Sequence, residues 1–144
     1  MNRMRGIFWC ICVAWGLWGC GGMILPREGG SSPSPGTRPP EISASDWLNV
    51  DAPQSLADLK GDVALIEFWA TWCGPCVQGI PHMNELHKEY AAEGLRIVSL
   101  TAEDRATVEA FQERARRRIE YPIGTGSATS DEYGVTGIPH AFVV

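Results

Sequence analysis

Val63-Ala64-Leu65-Ile66-Glu67-Phe68-Trp69-Ala70-Thr71-Trp72-Cys73-Gly74-Pro75-Cys76 decides how this chain is read. From Val63 to Ala70 the run is almost continuously apolar, bounded by Gly61-Asp62 and by Thr71. A strand buried on both faces has that appearance, because neither face alternates with polar positions. Beyond Cys76, the residues Ile80, Met83, Leu86, His87 and Tyr90 recur at spacings of three and four. They predict a helix from about Pro75 to Glu93, kinked at Pro81 and stopped by Gly94. The cysteine pair therefore falls where a buried strand turns into a helix. A helix start offers free backbone N–H groups and the positive end of the helix dipole, which stabilise a thiolate. Cys73 is accordingly expected to have a lowered thiol pKa and to act as the nucleophile. Cys76, one turn further in, is expected to be more buried and to act as the resolving thiol. Pro75 suits a first turn, where its missing N–H has no partner to lose.

Working outward, strand-like and helix-like runs alternate. Trp47–Val50 reads as a short strand before Asp51-Ala52-Pro53, and Ser55–Lys60 as a helical turn closed by Gly61. Leu95–Leu100 is the next strand, with Thr101 and Asp104 as a capping pair for a second helix. That helix should present Val108, Phe111 and Ala115 on one face. Its acids Glu103, Asp104 and Glu109 lead, and Arg114, Arg116, Arg117 and Arg118 trail, in keeping with the dipole. The arginines read as a solvated face with pairs such as Glu113–Arg117 one turn apart. An extended stretch from Ile138 to Val144 completes an α/β order around a mixed sheet.

Residues 1–25 read as an address. Arg3 and Arg5 precede a stretch from Gly6 to Leu25 without a charged residue, the pattern of an export signal. Leu17-Trp18-Gly19-Cys20 resembles a lipoprotein signal, in which Cys20 would be lipidated. The same stretch is also long enough for an uncleaved membrane anchor. Either way the domain is expected on the extracytoplasmic side of a bacterial envelope. Residues 26–40, with prolines at 26, 33, 35, 39 and 40, read as a linker, and 41–144 as the domain.

Of five cysteines, Cys10, Cys12 and Cys20 lie in the N-terminal stretch, so the domain holds only Cys73 and Cys76. A multi-disulfide framework is excluded. Zinc needs two further ligands, and His82 and His87 are roughly 140° apart on a helix, so no metal is expected. A formal net charge of -5 argues against nucleic acid as a partner.

The run Glu67–Cys76 resembles the active-site segment of thioredoxins, especially the exported TlpA/ResA-like branch. Ser55-Leu56-Ala57-Asp58-Leu59-Lys60-Gly61, Pro81 and Tyr133-Gly134-Val135-Thr136-Gly137-Ile138-Pro139-His140 are similar to the same branch. The resemblance covers about residues 41–144. It implies a thioredoxin fold, a mixed central sheet flanked by helices, with Pro139 in cis against the dithiol. It also implies that the backbone of Ile138 pairs with the substrate chain, with Trp72, Gly74, Pro75 and Pro139 on the substrate-facing surface. Glu67 stands where thioredoxins carry a buried aspartate, and it is expected to move a proton to or from Cys76. The implied activity is reduction of disulfides in exported proteins by dithiol exchange, without a cofactor. A membrane electron-donor protein would recharge the dithiol. A peroxiredoxin-like peroxidase and a non-catalytic interaction module are the alternatives.

Two departures stand out. Many relatives in the branch carry a glutamate where this chain has Gly79, which leaves the client open. The family also continues past the position of Val144 with a further strand and a C-terminal helix, so the chain reads as truncated.

Overall fold

A computed structural model describes residues 31–144; the expectations for residues 1–25, including lipidation at Cys20, lie outside the described residues. The predicted strand is β2, Val63–Phe68, which ends before Trp69 and Ala70. It lies between β3 (Leu95–Leu100), which it pairs in parallel, and β5 (His140–Val143), which it pairs in antiparallel. β4 (Ile123–Thr125) runs parallel to β3, and β1 (Asp46–Leu48) runs antiparallel to β4. The strand order is β1-β4-β3-β2-β5. The mixed central sheet expected from the sequence is therefore present.

Side chains alternate across β2, as a period of two requires. Leu65 packs on one face with Cys73, Cys76, Ile80, Phe111 and Tyr121. Ala64, Ile66 and Phe68 pack on the other with Trp47, Leu100 and Tyr133. The first face is covered by α1 (Gly74–Tyr90) and α2 (Arg105–Ala115), the second by the segments around Ile42 and Leu59 and by Tyr133. Helix α1 contains Pro81, and a 3-10 turn over Ala91–Glu93 leads to Gly94 at φ 94°. Gly94 is thus the stop that the sequence indicates.

Several expectations need correcting. β1 ends at Leu48, not Val50, because Asn49 takes a left-handed conformation at φ 62°. Its amide donates to the carbonyls of Ile119 and Tyr121, both at 2.9 Å, and so fastens the approach to β4. The cap of α2 is Asp104 alone, which accepts from Thr107 N at 2.7 Å. Thr101 is buried, and its hydroxyl turns to Glu103 at 3.3 Å. Val108 and Phe111 are buried as expected, but Ala115 is exposed. The helix ends there, with Arg116 at φ 49°, so Glu113 and Arg117 do not share a helical face. The Arg117 guanidinium donates instead to the Val77 carbonyl at 3.1 Å. β4 and the short α3 (Thr129–Glu132) were not anticipated. Elements of three or four residues are too short to display a period.

Gly124 shows why β4 reads so weakly. A Cβ there would lie 2.7 Å from a Leu100 methyl and 2.8 Å from the Ala44 Cβ. The strand has to be bare at this point for β1 and the segment before it to close over β3. Gly124→Ala is therefore expected to cost about 1–3 kcal/mol by overpacking. Urea denaturation would measure it, and an unchanged midpoint would contradict the close approach.

Candidate active site

The loop from Trp69 to Cys73 carries the chain from β2 into α1. Trp69 N donates to the Leu100 carbonyl at 3.2 Å, and Cys73 N to the Ala70 carbonyl at 3.1 Å. Cys73 is the N-cap of α1, with extended backbone at φ -81° and ψ 99°. Its Sγ accepts from Cys76 N at 3.3 Å, the role a serine or aspartate oxygen commonly fills at a helix start. Pro75 lies in the first turn, which carries no acid, so no carboxylate of that turn opposes a thiolate. Cys73 and Cys76 are joined as a disulfide, with 5.3 Å between their Cα atoms. Both are buried, at 4% and 2% exposure, so burial separates them little in the oxidised form. Trp72 projects beside them at 75% exposure, and Gly74 and Pro75 are also exposed.

Glu67 is buried in β2, directly opposite Ser99 in the register with β3. By alternation it shares the face of Leu65, the side on which the dithiol and α1 pack. The Ser99 hydroxyl donates to its Oε2 at 3.2 Å. Burial pushes the Glu67 carboxyl above its ordinary value of 4.5, and hydrogen bonds from Ser99 and Tyr121 pull it partly back. The Tyr121 phenol is raised in turn, chiefly by burial and then by the charge of Glu67. Neither Ser99 nor Tyr121 was identified from the sequence. Ser99 could have been found by aligning the two parallel strands, whereas nothing local marks Tyr121.

The Ile138–Pro139 bond is cis, as the resemblance implies. The last register pair of β5 sets His140 against Phe68, so Pro139 arrives beside the loop that holds the cysteines. Aromatic contacts hold this approach in place. Tyr133 lies 5.3 Å from Phe68 and 5.0 Å from Phe142, ring centre to ring centre. Such pairs contribute about 0.5–1.5 kcal/mol each beyond their buried area. The Tyr133 hydroxyl also donates to the Pro40 carbonyl at 2.9 Å, drawing the end of the linker segment onto the domain. Between the two loops is a mainly apolar cavity of about 420 Å³, whose walls include Trp69, Trp72, Leu100, Val135, Gly137 and Ile138.

Among the described residues, no group of three or more His, Cys, Asp or Glu is placed to hold a metal. His82 faces Glu85 at 3.9 Å on the surface, while the His87 ring packs against Tyr121. His140 is exposed and stacks near Phe142. A Cβ at Gly79 would meet no atom within 4 Å, so the position has room for the side chain it lacks.

A family model described as the AhpC/TSA family matches residues 35–144. The chain belongs to this family. It is 34% identical over 90 residues to a "Thiol-disulfide oxidoreductase ResA" of Bacillus thuringiensis, covering 62% of this chain and 52% of that protein. A protein of the same name from Geobacillus thermodenitrificans is 31% identical over 110 residues, covering 76% and 62%. The chain thus spans about half the length of the first curated relatives it matches. Among solved structures, a putative thiol:disulfide interchange protein DsbE from Chlorobium tepidum superposes with a TM-score of 0.59 at 29% identity. That match covers 81% of this chain and 76% of the other. The AhpC/TSA domain here accordingly has the thioredoxin fold, and the TlpA/ResA-like resemblance is borne out.

The raised carboxyl of Glu67 has a consequence for stability. Above the ordinary value of 4.5, the folded state retains a proton that the unfolded chain releases. Stability therefore falls as pH rises through the interval up to the folded value. Glu67→Gln removes this loss while keeping both an acceptor and a donor for Ser99 and Tyr121. The melting temperature of the variant should gain on that of the parent as pH rises above the ordinary carboxyl value of 4.5, and the gain should level off once Glu67 ionises in the folded state. A margin independent of pH would show that Glu67 ionises as freely folded as unfolded.

Proposed function

We propose that this protein is an extracytoplasmic thiol–disulfide oxidoreductase that reduces disulfides of exported proteins. The observation that carries this reading is the Cys73 sulfur at the N-cap of α1, taking the Cys76 amide hydrogen within bonding distance of Cys76. In the reduced protein the Cys73 thiolate attacks one sulfur of a substrate disulfide and expels the other as a thiolate. A mixed disulfide with Cys73 results. Cys76 then gives its proton to Glu67, attacks the Cys73 sulfur and releases the substrate as a dithiol. Two electrons have passed to the substrate, and the Cys73–Cys76 disulfide is the oxidised product. A membrane electron-donor protein would return the two electrons by the reverse exchange.

The Ile138 backbone would align the substrate chain, with Trp72, Gly74, Pro75 and Pro139 as the exposed surface it meets. The mainly apolar cavity between Trp72 and Ile138 supports this, since the loop that leads into Cys73 forms one of its walls. The name shared by the Bacillus and Geobacillus relatives supports the same chemistry. Export and membrane attachment, through lipidation at Cys20 or an uncleaved anchor, rest on the pattern of residues 1–25.

Insulin reduction with dithiothreitol as the electron source tests the activity. The protein should accelerate it, and Cys76→Ser should accumulate a mixed disulfide that Cys73→Ser abolishes. Glu67→Gln should slow resolution at neutral pH by about tenfold or more. Peroxide consumption without a dithiol substrate would favour the peroxidase alternative. Absence of both activities would leave an interaction module. The direction of electron flow is read from the potential: about -270 mV fits a reductase and about -120 mV an oxidant.

A further inference from the structure

Thr71, two residues before Cys73, is held by a side chain from another part of the fold. Its N–H donates to Glu103 Oε2 at 2.7 Å, and its hydroxyl donates to Glu103 Oε1 at 2.7 Å. Thr71 and Trp72 are the central residues of the turn closed by the Cys73 N to Ala70 bond. The grip therefore falls on the turn that delivers Cys73 to the helix start. Glu103 is itself well anchored. Its Oε2 also accepts from the Thr101 hydroxyl at 3.3 Å, and its carbonyl accepts from Gly126 N at 2.8 Å. Thr101 O accepts from Ser127 N at 2.9 Å, so the segment between β3 and α2 is pinned to the residues after β4.

We infer that Glu103 is a positioning residue: by holding both donors of Thr71 it fixes the turn before Cys73, and so sets the acidity of that thiol and the redox poise of the dithiol. The physical ground is the short range of the helix terminus. Its stabilisation of a negative charge fades within one turn, so a shift of the turn removes part of it. A carboxylate bound to two donors is a stiff support, because charge-assisted bonds are shorter and stronger than neutral ones. Its own charge would act in the opposite sense, disfavouring a nearby thiolate. The two effects are separable. Glutamine keeps the geometry without the charge, its carbonyl accepting from the Thr71 amide and its NH2 donating to the Thr71 hydroxyl.

The inference rests on the dithiol reading above, and the test distinguishes the two. In the full chain, the thiol pKa of Cys73 is measured from the pH dependence of iodoacetamide alkylation, followed on the Cys73 peptide by mass spectrometry. The potential is measured against glutathione. Glu103→Ala is expected to raise the Cys73 pKa and slow alkylation at pH 7 about fivefold, while Glu103→Gln stays within about twofold of the parent. Thr71→Val keeps the amide bond but loses the hydroxyl, and should move the pKa the same way by a smaller factor. It decides the matter if Glu103→Ala does not fold. A purely structural grip would lower the melting temperature and leave the pKa and potential in place, which would overturn the inference. Glu103→Gln moving as far as Glu103→Ala, in either direction, would overturn it too. So would an unchanged Thr71→Val. Failure of the parent to reduce insulin would remove the proposed activity, yet the thiol measurements would still decide the role of Glu103.

Discussion

The hydrogen bond from the Cys76 amide to the Cys73 sulfur joins the fold to its chemistry. It forms at a helix start, where backbone donors go unpaired, and here that start follows the end of β2. β2 must therefore stop at Phe68, the loop must turn at Ala70–Cys73, and α1 must start at Gly74. Burial of β2 between two apolar layers holds the strand rigid, and the parallel β3 beside it fixes the height at which the strand ends. The dithiol is thus placed by the most strongly packed part of the molecule.

Around this point the fold gathers supports from distant sequence. The Leu100 carbonyl holds Trp69, Glu103 holds Thr71, and β5 brings Pro139 alongside. The first two lie at and just beyond the end of β3 and the third just before β5, and they reach the loop because the sheet order puts β3 and β5 on either side of β2. The carboxyl of Glu67 illustrates the same dependence. In a strand exposed on one face it would be an ordinary acid; under α1, burial holds it toward its neutral form against the pull of two hydroxyls.

The surface electrostatics is less tied to the dithiol. Arg105 donates from its NH2 group to the Asp46 carboxylate at 2.7 Å and to the Trp47 carbonyl at 2.6 Å. The guanidinium lowers the Asp46 pKa to about 2, but that carboxylate is open to solvent. An exposed pair of this kind positions β1 against α2 more than it stabilises the whole. The arginines beyond α2 behave similarly, since the left-handed turn at Arg116 ends the helix before they can pair along it.

By itself, the sequence determined the strand at Val63, the helix after Cys76, its stop at Gly94 and the cysteine pair between them. All of these are local: a run of apolar residues, a helical period and a glycine each report on their own neighbourhood. The resemblance added the cis bond at Ile138–Pro139. Only the tertiary structure decided that Ser99 and Tyr121 flank Glu67, that Glu103 grips Thr71, and that three residues at Ile123 form a strand. These depend on contacts between segments far apart in sequence or, for β4, on a strand too short to show a period. Register and close approach decide such contacts, and neither leaves a mark on one stretch of chain.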